Sequence, residues 1–280
     1  MNITKQDIET ALLTLPISEG DILLVHSSLK SAGYIEGGAD TVIDALLEVI
    51  GEKGTLVMPT LSMGEFHNAY RDWNMDRPSD TGYITEVFRN RKGSLRSDQA
   101  THSVAAQGPM AAYLTKDHAD GKGRYGTYGS TPFSHTSPWQ KMYEANAKVL
   151  FFGCGLDKNT LKHLVEYMIV EKTLEAAKRN NVYTEVCAKI MNFEARVAGN
   201  TVKIWPYLSV QELQRLGKEK SLLQYSTCGN ATLTMYRAKE LIDAILNDVS
   251  QNTQLWYGNP MVDIINQAFG GKIPTDAFVQ

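Results

Sequence analysis

Apolar residues in this chain gather into three short unbroken runs, at 22–25 (Ile-Leu-Leu-Val), 55–58 (Thr-Leu-Val-Met) and 148–152 (Lys-Val-Leu-Phe-Phe). Runs of this length without alternation are those of strands covered on both faces. Between the first two, Val42, Ile43, Leu46, Leu47, Val49 and Ile50 recur at near-helical spacing, and Gly51 and Gly54 then break the pattern. The spacing predicts a helix over 40–50, hence a strand–helix–strand unit and a parallel or mixed sheet with helices on its faces. Further on, "RVAGNTVKIWPYLS" reads as a strand pair about Gly199-Asn200 and "MYRAKELIDAILNDV" as an amphipathic helix. Residues 61–137 are rich in Gly, Ser, Asp, Pro and Tyr, the composition of binding loops. No repeat, linker or composition break divides the chain. The expectation is one α/β domain over 1–280, a single mixed sheet with long active-site loops and a C-terminal extension from about 251.

Composition changes this picture little. With 280 residues, 43% hydrophobic and 21% charged, the chain can bury one sizeable core. The start has no basic stretch followed by an apolar run, and no 18-residue apolar stretch occurs, so export and membrane insertion are not expected. Cys154, Cys187 and Cys228 are few, odd in number and far apart, which suits a reducing cytoplasm and neither a disulfide framework nor a cysteine-based zinc cluster. A net charge of −3 with no basic block gives no footprint for nucleic acid. A homodimer is compatible with the sequence but not specified by it.

Three segments could carry chemistry. "HSSLKSAG" follows the first strand and "GGAD" opens the next helix, so Ser27, Ser28, Lys30, Gly37 and Gly38 could offer hydroxyls, a cation and backbone N–H groups to an anion. Neither a G-x-x-x-x-G-K-[ST] loop nor a G-x-G-x-x-G fingerprint is present; the serines could equally cap the helix. "SLRSDQATHSVAAQG" places Arg96, Ser97, His102 and Ser103 before an apolar run, where Arg96 suits phosphate or carboxylate and His102, like His26 at its strand end, could be structural. His67, His118 and His135 have no partner by spacing. In "GCGLDKNTLKHLVEY", Asp157, Asn159 and Thr160 can cap a helix whose first turn holds His163, with Glu166 on the same face. That is the spacing of a base and its orienting carboxylate, although chance places such pairs in many helices. Cys154 as a nucleophile, and a metal held by His163 and Glu166 with His26 or His102, are alternatives on these residues alone.

"VHSSLKSAGYIEGGADTVIDALLEVIGEKGTLVMPT", "RPSDTGYITEVFRNRKGSLRS", "THSVAAQG", "FFGCGLDKNTLKHLVE" and "GNATLTMYRAKELI" stand in the order found in the aminoglycoside 3-N-acetyltransferase family, which the chain resembles over roughly residues 5–245. The resemblance implies an acetyl-coenzyme A-dependent antibiotic N-acetyltransferase without a metal, acting on a primary amine, most readily an aminoglycoside 3-amino group. The pyrophosphate loop of the larger acetyltransferase superfamily is absent; Arg196 to Thr201 is a near miss. The helix histidine of N-T-x-x-H-L-x-E is implied to be catalytic, which is His163 here, with Glu166 as its partner. The loop from His26, through Ser27 and Ser28, is implied to contact the coenzyme, and Lys30, Gly37, Gly38, Arg96, Ser97, His102 and Ser103 join it in the expected coenzyme site. Asp76 and Asp80 are the expected carboxylates for a cationic acceptor. Gln99 and Ala100 replace the His-Pro found in many resistance enzymes, and residues 64–76 and the tail from about 251 do not fit the pattern, so another amine, an amino sugar or a biosynthetic intermediate, is the alternative acceptor.

Overall fold

The computed structural model describes residues 2–62, 72–121, 123–197 and 200–279. The three apolar runs become β1 (Ile22–Ser27), β2 (Thr55–Pro59) and β5 (Lys148–Phe152), side by side and parallel with β1 in the middle. Each parallel edge then receives an antiparallel pair. β4 (Val104–Gln107) joins β2 and carries β3 (Leu95–Arg96), while β9 (Ala231–Arg237) joins β5 and carries β8 (Gln224–Cys228). The result is a seven-stranded mixed sheet in the order β3-β4-β2-β1-β5-β9-β8.

Alternation along the strands divides the core. Leu23, Val25, Leu56, Met58, Leu150 and Phe152 face α1 (Lys5–Leu13), α2 (Gly38–Ile50) and α3 (Tyr83–Arg89). Leu24, Val57, Val149 and Phe151 face the opposite layer. That layer holds α4 (Pro138–Glu144), α5 (Leu161–Arg179), α6 (Tyr183–Met191), α7 (Val210–Glu219), α8 (Ala238–Trp256) and α9 (Asn259–Ala268). α5 is buried on nearly every side, as an interior helix must be when neighbours surround it. β6 (Glu194–Val197) and β7 (Asn200–Lys203) form the expected separate pair; Gly199 lies outside the described residues.

Two sequence expectations shift. Met235, Tyr236 and Arg237 belong to β9, because β5 and β8 take up their backbone groups, and the helix begins at Ala238. Within 61–137, read as loops, lie α3 and the β3–β4 pair, elements too short to show a period. Past residue 251 the chain continues in α8 to Trp256, with one non-helical residue at Asn252, before α9. His67, and residues 64–71 of the segment that fits no pattern, lie outside the described residues.

Candidate active site

Ligands of α/β sheets collect where parallel strands end and the connections diverge. Here the carboxyl ends of β1, β2 and β5 border a cleft of about 500 Å³. Its walls include His26 and Ser27 at the end of β1 with Ser28 just after it, Pro59 at the end of β2, Cys154 after β5, and Asp80 and Thr160 from the loops. The turn out of β5 depends on Gly153: its φ is +68°, and a Cβ there would lie 1.8 Å from Ser31 Oγ. His26 stacks on Phe151 at 5.0 Å and 11°, and burial pulls its pKa down to about 3, so it stays neutral. Burial pushes the Cys154 thiol up to about 11, which leaves little thiolate and disfavours it as a nucleophile.

Thr160, in the cleft wall, is the N-cap position of α5, and His163 follows in its first turn. The Thr160 side chain makes no cap bond, so the helix start is fixed by its surroundings instead. His163 Nδ1 donates to Glu166 Oε2 at 2.8 Å. Glu166 is fully buried, and its other oxygen accepts from Lys162 Nζ and from the Leu208 N–H at 3.0 Å. Burial works against the carboxylate, but the hydrogen bonds and charge of its neighbours His163 and Lys162 outweigh it and hold the carboxyl below its ordinary value. A carboxylate saturated in this way, with an ammonium beside it, is an orienting group and a poor metal ligand. Since Nδ1 carries the proton donated to Glu166, neutral His163 presents Nε2 as its basic nitrogen. The side chain keeps 20% of its surface exposed.

Aromatic rings wall this imidazole. Tyr128, Tyr207 and Phe133 lie 5.3, 5.6 and 6.0 Å away between centroids, and Tyr128 Oη and Tyr207 Oη share a 2.7 Å hydrogen bond. The loop bearing Tyr128 is fastened to α5. Tyr167 Oη accepts from the Tyr128 N–H at 2.9 Å, and Gly126 lies so close to the Tyr167 ring that a Cβ would come within 1.8 Å of it. His102 stands 6.3 Å from His163, edge to face. Burial, reinforced by His163 and His118, holds its pKa well below the ordinary histidine value. Gln99, one of the two departures from the family pattern, accepts the Thr101 and His102 N–H groups and so shapes this turn.

The structure gathers only part of the expected constellation. His163 and Glu166 are joined; His26, Ser27, Ser28 and Asp80 line the cleft. Lys30 is exposed, and it, Gly37 and Gly38 at the start of α2 are not among the cleft-lining residues. Arg96 donates to the carbonyls of Thr60, Met75 and Arg77, clamping loop backbone, and burial lowers its pKa to about 10. Ser97 binds His118 Nδ1 and the Val104 N–H, and Ser103 donates to the Thr60 carbonyl. Asp76 is exposed and its backbone carbonyl accepts from Arg89, away from the cleft lining. Sequence reasoning missed Lys162, although it stands four residues before Glu166 on the same helix face, and missed Tyr128 and Tyr207, which come from distant loops.

A parallel-strand crevice whose wall includes Thr160, with a carboxylate-held histidine in the first turn of the helix that Thr160 opens, is the kind of arrangement found in transferases and hydrolases. Comparison narrows the class. Residues 24–248 match the profile described as aminoglycoside 3-N-acetyltransferase, and the chain belongs to that family. Aminoglycoside N(3)-acetyltransferase IX of Micromonospora chalcea is 24% identical over 265 residues, 88% of this chain and 82% of the relative. Among solved structures, a histidine-to-alanine mutant of aminoglycoside acetyltransferase AAC(3)-IVa in complex with apramycin superposes with a TM-score of 0.66 at 26% identity, over 90% of this chain and 94% of that one. AAC-IIIb, a binary complex with CoASH, superposes at 0.68 with 20% identity, over 93% and 99%. No helix among the described residues is long and apolar enough to cross a membrane.

Proposed function

We propose that this chain transfers the acetyl group of acetyl-coenzyme A directly to the 3-amino group of an aminoglycoside, with His163 as general base. The observation that carries the reading is the 2.8 Å bond between His163 Nδ1 and a fully buried Glu166 carboxylate. An acceptor nitrogen attacks a thioester only as a free amine, and its proton must leave as the new bond forms. His163 Nε2 takes that proton, the nitrogen–carbon bond forms, the carbon–sulfur bond breaks, and the departing thiolate recovers the proton as coenzyme A thiol. Glu166 fixes the ring and stabilises the imidazolium, as the carboxylate of a serine-protease triad does. The coenzyme's acyl end lies in the strand-end cleft with Ser27 and Ser28, where His26 is a neutral neighbour. The CoASH and apramycin complexes of the two superposed proteins support coenzyme and acceptor class. Asp80, on the cleft wall, faces the cationic acceptor.

The test is thiol release from acetyl-coenzyme A with gentamicin, apramycin and single-ring amines, followed by assignment of the acetylated nitrogen by NMR. Acetylation at the 3-amino position is expected. Turnover confined to non-aminoglycoside amines would transfer the function to another acceptor class, and a burst of acetylated Cys154 would replace direct transfer by a covalent intermediate.

A further inference from the structure

Lys162 stands where two physical costs fall on a cation. It is buried, although an ammonium gives up its hydration there and is rarely placed inside a protein without a counter-charge. It also lies in the first turn of α5, where the helix dipole opposes positive charge. Its Nζ donates to Glu166 Oε1 and sits 5.1 Å from the centre of the Tyr207 ring. Holding the carboxylate in place does not require a charge at this position, because the same oxygen accepts the Leu208 N–H and the other accepts from His163 Nδ1. What the ammonium adds is its charge.

The consequence of that charge reaches the second nitrogen of His163. A buried carboxylate beside a neutral imidazole, with no other cation, draws a proton to the pair. Whether that proton makes an imidazolium or a carboxylic acid hydrogen-bonded to Nδ1, the ring then carries hydrogen on Nε2 and no longer acts as a base there. An ammonium on the far oxygen balances the carboxylate without occupying the ring. Among the described residues, Glu166 has ion-pair contacts with Lys162 and His163 only. The titratable groups that face the ring from other segments are His102, Tyr128 and Tyr207, and Tyr257 neighbours Glu166. Burial pulls the first down and pushes the three phenols up, so none of them carries charge near neutral pH. The exposed Asp157 and Lys158, in the turn ahead of α5, pair with each other.

We propose that Lys162 is a positioning residue of the acetyl transfer: its ammonium keeps Glu166 ionised and keeps the Glu166–His163 pair from binding a proton before the acceptor arrives, so that Nε2 is open when the amine must lose its own. This deepens the acetyltransfer reading above and rests on it. Glu166 then stabilises the imidazolium only as the nitrogen–carbon bond forms, and the departing thiolate takes the proton back.

Lys162→Met and Lys162→Gln test this, the second keeping an N–H donor for Glu166 without the charge, and Lys162→Arg restores the charge. kcat/KM for gentamicin is followed across the acidic and alkaline range. In both neutral variants the acidic limb of the profile should move up by about one pH unit or more, the shift that one adjacent charge produces. Activity on the wild-type limb then falls about tenfold, while all four proteins approach a common alkaline plateau. The acceptor's own titration is shared by them and cancels. Lys162→Arg should keep the wild-type limb. A ¹³C-histidine NMR titration, with His163→Ala to assign the signal, should show the His163 midpoint moving with the limb, and it needs no acceptor. A purely structural lysine would lower kcat/KM in parallel at every pH and leave the NMR midpoint in place; that result, or a limb moved equally by Lys162→Arg, overturns the proposal. If one neutral variant fails to fold, the other carries the same comparison. Absence of amine acetylation by the wild type overturns the acetyltransfer reading, and the NMR midpoint still decides whether Lys162 governs the pair's proton.

Discussion

Helix α5 carries the same three-part device twice. At its start, Glu166 links a nearly buried Lys162 to His163; five residues on, Glu171 links the buried Arg124 to His135. Both carboxyls are held below their ordinary value, burial opposing their charge and the hydrogen bonds and charge of their neighbours outweighing it. The difference lies in the second ring nitrogen. His135 Nε2 donates to Glu171 at 2.8 Å while its Nδ1 accepts from Arg124 at 3.1 Å, so both nitrogens are occupied. His163 gives only Nδ1 to its carboxylate, and no partner is seen for Nε2 among the described residues. The exposed histidine, at 54%, is chemically closed, whereas the one at 20% is open. Exposure and carboxylate contact do not by themselves mark a base. The unoccupied second nitrogen is what separates His163 from His135. The Arg124–Glu171–His135 cluster instead fastens the loop that brings Tyr128 over His163.

The sharpest way to break this comparison is His163→Ala. Loss of a general base should lower kcat about 10²–10⁴-fold, with acetyl-coenzyme A affinity by calorimetry unchanged; retention of more than about a tenth of wild-type kcat under chemistry-limited conditions would assign the base elsewhere, His102 first. Glu166→Gln keeps an acceptor but removes the charge. It should cost kcat less, about tenfold, and should cost stability by about 3 kcal/mol because Lys162 is left buried without its counter-charge. Chemical denaturation and initial rates on the same sample separate the two effects. The matching change at the second device, Glu171→Gln, should also lower stability by about 3 kcal/mol, because Arg124 is left buried without its counter-charge, while water screens the half-exposed His135 arm. Its kcat should stay within about twofold of wild type; a fall comparable to that of Glu166→Gln would erase the distinction.

The smallest effect is on pH. His26 and His118 have folded pKa values lowered by burial to about 3 and about 4, against 6.5 in the unfolded chain. Below pH 6.5 the unfolded state binds the extra protons, so their contribution to stability is complete above 6.5 and declines as pH falls toward 4. Tm should be flat from pH 7 to 8 and fall progressively below 6.5, and His118→Gln, which leaves one such group fewer, should make that fall shallower.

Legibility in the sequence followed locality. β1, α2, β2 and β5 could be read because each is an uninterrupted run or period, and His163 with Glu166 because one helical turn contains both. β3 and β4, two and four residues long, are strands only because β2 is there to pair with. Arg96 misled for the same reason: its residue type suits an anion, but its guanidinium meets backbone carbonyls that folding brings from residues 60, 75 and 77. Tyr128 and Tyr207 meet beside His163 only in the folded chain, and no local pattern encodes that. Lys162 was legible, standing one helical turn before Glu166 on the same face.

The antiparallel pairing of β5 with β9 also sets a schedule for synthesis. Residues 148–152 leave the ribosome long before their partners at 233–237, so one edge of the growing sheet stays unpaired while α5 through α7 are made. An open edge of Val, Leu and Phe is a template for other chains. Any stop or cleavage before residue 231 would make that exposure permanent, so such fragments should aggregate rather than persist as partly active protein.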